Sequence, residues 1–135
     1  MRLSQASDYA FRAVLYLAKQ GVGNRADAET ISEVENIPKR FLLKNLRKLA
    51  QTDIIDSYRG KYGGYALAKK PAEVTLLDIV EVIDGPIEVN RCLVEPDSCN
   101  KDGADTCRIH RALYDVKETI MTKLDGYTFA NLLEE

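Results

Sequence analysis

The chain has 135 residues, of which 45% are hydrophobic and 30% charged, with a net charge of −2. That composition allows one compact domain, or a small domain plus an association arm, and argues against disorder along the whole chain. No apolar run approaches the roughly 18 residues of a membrane-spanning helix. The start, Met1-Arg2-Leu3-Ser4-Gln5-Ala6-Ser7-Asp8, lacks the basic-then-apolar layout of a secretory signal, so a cytoplasmic protein is expected.

The charge is unevenly placed. Residues 38–70 carry nine Lys/Arg against two Asp, a net +7 that leaves −9 for the remainder. A basic island on an acidic body points to one defined docking face. A merely solvated Lys-rich helix face is the plainer alternative.

Residues 4–20 place Ala6, Ala10, Ala13, Val14 and Leu17 at helical spacing, with Ser4 or Ser7 available as a cap. Gly21-Val22-Gly23-Asn24 breaks this helix. Residues 28–35 suit a short helix burying Ala28, Ile31 and Val34. Asn36-Ile37-Pro38 then reads as a turn, with Pro38 opening a new helix that runs to Gln51. Leu42, Leu46 and Leu49 form its apolar stripe, and Lys39, Arg40, Lys44, Arg47 and Lys48 cover much of the rest. This is the layout of a helix-turn-helix.

Two strand candidates follow, Ile54–Tyr58 and Gly64–Ala68, joined by Arg59-Gly60-Lys61-Tyr62-Gly63. Glycines permit positive φ and close approach of backbone, while Arg59 and Lys61 supply charge, so the hairpin reads as a wing. Pro71 ends it. Residues 75–83 form a compact helix with Leu76, Ile79, Val80 and Ile83 for burial, stopped by Asp84-Gly85-Pro86. Residues 90–106 show little periodicity and read as a loop holding Cys92 and Cys99. A long helix then runs from Cys107 to about Leu124. Its narrow stripe of Ile109, Leu113, Val116, Ile120 and Leu124 suggests self-association, although packing back onto the winged domain is also compatible.

The expected class is therefore mainly α with a small β-wing: a winged helix-turn-helix domain plus a long C-terminal dimerisation helix. The expected division is 1–84 for DNA binding, 85–106 for the cysteine-bearing loop, and 107–135 for the dimerisation helix and tail. Double-stranded DNA is the expected partner, met by Lys39, Arg40, Lys44, Asn45, Arg47 and Lys48 on the reading helix and by Arg59 and Lys61 on the wing. A pair of such heads calls for a near-palindromic operator. No paired acid and base or substrate-pocket signature suggests an enzyme.

All three cysteines and the only histidine fall within residues 92–110, with gaps of six, seven and two residues between Cys92, Cys99, Cys107 and His110. Clustered thiols in a reducing compartment suggest a metal or redox site. His110 lies one helical turn after Cys107, so both side chains can face one site. The donor set suits an iron–sulfur cluster, a zinc ion or a thiol switch, and the spacing alone does not choose among them. An iron–sulfur electron carrier is a more distant reading, since it gives no role to the basic island.

The opening Met1-Arg2-Leu3, Asp8-Tyr9-Ala10, the wing Tyr58-Arg59-Gly60-Lys61-Tyr62-Gly63-Gly64-Tyr65 and the tail Cys107-Arg108-Ile109-His110-Arg111-Ala112-Leu113 together resemble the winged helix-turn-helix iron–sulfur regulators typified by IscR and NsrR. The resemblance covers essentially the whole chain. It implies a homodimeric transcription factor that senses iron–sulfur, redox or nitric oxide status through a [2Fe–2S] or [4Fe–4S] cluster on Cys92, Cys99 and Cys107. By the same resemblance the fourth ligand is His110, as in IscR-like members, or Asp8 from the partner subunit, as in NsrR-like members. Two features differ from that pattern. The cysteine gaps are longer, and Leu43 stands where IscR-like proteins place an acidic residue.

Overall fold

The computed structural model describes residues 2–98, 100 and 106–134. Helix α1 (Gln5–Gln20) starts at Ser4, whose hydroxyl accepts the Ser7 amide at 3.0 Å, and ends at Gly21 with φ 97°. Its Ala10, Ala13, Val14 and Leu17 are fully buried. Helix α2 (Ala28–Glu35) is capped by Asp27, which accepts the Thr30 amide at 2.7 Å. That contact makes Asp27 more acidic than an ordinary aspartate; the Thr30 hydrogen bonds are the main cause. The expected burial of Val34 is corrected. Only Ile31 of α2 is fully covered, whereas Val34 is 60% exposed because it lies on the outer side of a two-turn helix.

Asn36 turns the chain in the left-handed region (φ 53°, ψ 51°), and asparagine tolerates this better than most residues. Ser32 closes the turn by donating its hydroxyl to the Ile37 carbonyl at 2.6 Å. Pro38 then stands just before helix α3 (Lys39–Ala50), whose Leu42, Leu46 and Leu49 face the core as the stripe requires.

Strands β1 (Ile55–Tyr58) and β2 (Gly64–Leu67) pair antiparallel, with Tyr58 opposite Gly64 and Ile55 opposite Leu67. Ala26 adds a third rung, since its amide and carbonyl bond the Tyr65 carbonyl and amide at 2.9 and 2.8 Å. Only glycine fits at position 64. Its φ is +136°, and a Cβ there would stand 2.6 Å from the Ala26 carbonyl oxygen.

Helix α4 (Leu76–Ile83) begins with a capping box between Thr75 and Asp78. It buries Leu77 together with Ile79, Val80 and Ile83, while Leu76 is half-buried. The segment expected to be a loop holds more order than its composition shows. A one-turn helix α5 (Arg91–Val94) carries Cys92, and a 3-10 turn spans Pro96–Ser98.

Helix α6 (Arg108–Asp125) is followed by α7 (Phe129–Leu133), which sequence periodicity did not reveal. Phe129 is fully buried in the main core with α1, and Thr128 pairs with Thr75. Burying such a ring contributes roughly 2–3 kcal/mol, which is enough to hold the chain end in place. A second, smaller cluster of Leu77, Val80 and Ile87 receives Ile120, Met121 and Leu124 from α6. The expected single stripe on α6 therefore divides. Ile120 and Leu124 pack inward against α4, whereas Ile109 and Val116 remain 68% and 45% exposed. No helix is long and apolar enough to cross a membrane among the described residues.

Candidate functional site

Two groups of residues carry chemistry: a basic surface formed by α3 and the hairpin, and the thiol–imidazole contact between α5 and α6.

On α3 the apolar stripe fixes which side chains face outward. Lys39, Arg40, Lys44 and Arg47 are exposed. Lys39 lies 3.7 Å from Glu29 across the turn, a surface pair of small energetic value. Arg40 sits over the Phe41 ring at 4.7 Å, and Phe41 stacks with Tyr9 of α1 at 6.4 Å between centroids. Lys44 and Arg47 form no ion pair among the described residues, so their charges face solvent. Lys48 is turned instead toward α4, where its Nζ donates to the Ile83 carbonyl at 3.4 Å.

Asn45 occupies a different environment from its neighbours. It is 3% exposed, and its Nδ2 donates to the Ala6 carbonyl at 3.0 Å. Its amide ties α3 to α1, a role the sequence did not reveal because a polar residue in a basic helix looks like another surface contact.

On the hairpin, Arg59 and Lys61 are exposed, and Tyr62 at the tip is 77% exposed. Gly60 has φ +90°, and the Gly63 amide closes the turn onto the Gly60 carbonyl at 3.0 Å. Arg25, which lies outside the basic island, reaches this loop: its Nη1 donates to the Tyr62 carbonyl at 3.0 Å.

In the cysteine region, His110 Nδ1 stands 3.3 Å from Cys92 Sγ, and the Asn90 amide lies 3.4 Å from the same sulfur. This follows from α6 packing beside α5, which brings together residues 18 apart in sequence. Cys107 is half-buried one turn before His110, just ahead of α6. Cys99 lies outside the described residues. Among the described residues, no three His, Cys, Asp or Glu side chains converge as a metal site. Two ligands on one tetrahedral ion, at about 2.3 Å for sulfur and 2.0 Å for nitrogen, stand roughly 3.5 Å apart. The observed 3.3 Å is compatible with that separation and equally with a hydrogen bond between imidazole and thiol, so the pair could serve as two ligands of one metal centre.

Asp8 is placed elsewhere. Its carboxylate pairs with Arg12 at 3.1 Å on the same helix. Arg12 also donates to the Glu35 carbonyl at 2.8 Å and lies 4.9 Å over the Tyr9 ring.

A family model described as "Iron-dependent Transcriptional regulator", Rrf2, matches residues 3–135. The chain belongs to the Rrf2 family. It is similar to an rrf2-like HTH-type transcriptional regulator of Rhodobacter capsulatus, 34% identical over 139 residues, covering 97% of this chain and 91% of that one. Among solved structures it resembles CymR, the global cysteine regulator of B. subtilis, with a TM-score of 0.76 and 25% identity over 98% of this chain and 95% of that one. It also shares the fold of T. potens IscR, with a TM-score of 0.72 and 22% identity over 99% of this chain and 87% of that one. The winged-helix class read from the sequence is thus the observed fold. This Rrf2 chain is a helix-turn-helix transcriptional regulator, not an enzyme.

Proposed function

We propose that this Rrf2 regulator acts as a homodimer that binds a near-palindromic operator and carries an iron–sulfur cluster on Cys92, Cys99, Cys107 and His110. The observation that carries this reading is the 3.3 Å approach of His110 Nδ1 to Cys92 Sγ, which sets two soft-metal donors side by side. His110 is preferred over Asp8 as fourth ligand because its ring stands beside Cys92 within the same chain.

The reading helix α3 enters the major groove with Lys39, Arg40, Lys44 and Arg47 toward the duplex. Arg59 and Lys61 on the wing approach the neighbouring backbone or minor groove. Phosphate contacts set affinity, and base-edge contacts set sequence. The exposed strip of Ile109, Ala112 and Val116 on α6 supplies the self-association face, and its repeat of three and four residues suits a helix pair. Two heads held this way read half-sites about one helical turn apart.

A bound cluster would supply a centre whose oxidation state or presence responds to oxidants, nitric oxide or iron supply. The chain's own contribution is positional. Cys92 lies eight residues beyond Asp84, and His110 is in the first turn of the helix that packs on α4. A change at the thiols therefore acts on how α6 packs against α4, which is itself fastened to α1 and α3 of the reading head.

A thiol switch is the second reading, and one observation favours it. The half-buried Cys92 thiol is held within 3.3 Å of the His110 imidazole, with Cys107 one turn before that histidine. Iron and sulfide analysis of anaerobically purified protein, with its visible spectrum, separates the two. Matching iron and sulfide with broad visible absorption supports the cluster. A colourless protein that resists reconstitution yet binds DNA supports the thiol switch or a zinc site.

A further inference from the structure

We infer that Arg25 is a positioning residue for DNA recognition: it presets the wing loop at residues 59–63 without itself contacting phosphate. The inference rests on the reading of the hairpin as a DNA-contacting wing.

The loop needs such a brace. Its turn is built on Gly60 at φ +90° and on Gly63, where a Cβ would stand 2.5 Å from the Tyr58 carbonyl oxygen. Glycine loops lose more conformational freedom on ordering than others, and the bond from Gly63 to Gly60 closes only the tip. Arg25 grips both sides of the loop with one guanidinium. Its Cζ lies 3.7 Å from the centroid of the Tyr58 ring at the loop's start, and its Nη1 donates to the Tyr62 carbonyl near its end.

The same short segment fastens the wing to the helix-turn-helix. Arg25 holds the loop, Ala26 pairs with Tyr65 of β2, and Asp27 caps α2 through the Thr30 amide. Three consecutive residues thus lock the wing at a fixed distance from the two helices that set α3. Arg59 and Lys61 are the exposed cations of the loop itself, Lys61 with its Nζ 5.7 Å over the Tyr62 ring, whereas the Arg25 guanidinium is directed at the Tyr58 ring and the Tyr62 carbonyl. Lysine cannot reproduce this grip, since an ammonium has neither the planar face nor the fork. Ordering the loop before DNA arrives removes an entropic cost from binding.

The test uses a duplex selected by the wild-type protein from a random-sequence pool. Binding of Arg25→Ala, Arg25→Lys and Lys61→Ala is followed by anisotropy across a salt series. Amide hydrogen exchange of residues 59–63 is measured in the free proteins. Arg25→Ala is expected to weaken binding about tenfold while leaving the slope of log affinity against log salt unchanged. Arg25→Lys is expected not to restore affinity. Lys61→Ala is expected to reduce the slope by about 1, as removal of a phosphate contact does. Exchange in the loop should quicken in both Arg25 variants, with α1 and α3 unchanged.

A slope reduced by about 1 in Arg25→Ala would make Arg25 a direct phosphate contact and overturn the proposal. Unchanged affinity, or unchanged loop exchange, would also overturn it. A wild-type protein that selects no duplex, or binds one without salt dependence, overturns the wing reading itself; loop exchange still reports separately whether Arg25 orders residues 59–63.

Discussion

The Ser7 hydroxyl donates to Asp84 Oδ2 at 2.8 Å across 77 residues of sequence, joining the start of α1 to the end of α4. Ser4 adds its own hydroxyl and amide to the same carboxylate, and Lys48 of α3 reaches the adjacent Ile83 carbonyl. The chain therefore leaves the winged domain for the cysteine region from a point fastened to both α1 and α3. Burial pushes the Asp84 carboxyl up, but hydrogen bonds from Ser4 and Ser7, with the Lys48 charge, outweigh this and hold it below 3.8. A carboxylate with a lowered folded pKa adds stability above its unfolded value. That stability fades as pH falls from about 3.8 through the folded value. Urea denaturation between neutral and acid pH should show this loss in wild type and a flatter profile in Asp84→Asn. Asp84→Ala, which leaves the buried Ser7 hydroxyl without its acceptor, should cost about 1–3 kcal/mol at neutral pH.

Asn45, buried and bonded to the Ala6 carbonyl, is expected to act through stability. Asn45→Ala removes one side-chain-to-backbone bond and should cost about 1 kcal/mol. Asn45→Asp places a carboxylate beside the Ala6 carbonyl with no donor to offer it, and should cost more. Denaturant midpoints rank the two; equal stability of wild type and Asn45→Asp would contradict the buried tie.

The wing hairpin depends on Gly64 for a geometric reason. Gly64→Ala combines a disfavoured φ with a 2.6 Å clash on the Ala26 carbonyl, so a loss of about 1–3 kcal/mol is expected. Thermal unfolding measures it. The third rung at Ala26 should open as well, seen as faster amide exchange at Ala26 and Tyr65.

Ile109 and Val116 are two apolar residues of α6 that folding of one chain leaves exposed, with Tyr114 beside them. Ile109→Glu with Val116→Glu should leave the fold intact, because neither is buried within the chain, yet yield a monomer in sedimentation. Operator affinity should fall by several orders of magnitude, since each head alone reads one half-site. A dimer that survives both changes would move the interface elsewhere.

Much of this fold is legible from local rules. The cap at Ser4, the leucine stripe on α3 and the glycine-rich wing state their elements directly, because each depends on residues within a few positions of one another. What escaped depends on distant contacts. Helix α7 spans five residues and is held by Phe129 meeting α1 and by Thr128 meeting Thr75, partners far away in sequence. The α6 stripe looked continuous because spacing shows which residues share a face but not which neighbour covers each part of it. Asn45 and Arg25 illustrate the same point. One polar residue in the basic island faces inward, and one basic residue outside the island orders the wing. The approach of Cys92 to His110 was only partly readable, since the sequence placed His110 near Cys107 and the packing of α5 against α6 placed it near Cys92.

The most direct test of the account is a count of iron and sulfide per chain, after anaerobic reconstitution, in wild type and in Cys92→Ala, Cys99→Ala, Cys107→Ala and His110→Ala, each checked for folding by circular dichroism. Wild type should hold a full complement, each folded cysteine variant should lose the cluster, and His110→Ala should hold a labile or spectrally altered centre. A full complement retained by all three cysteine variants would contradict the account.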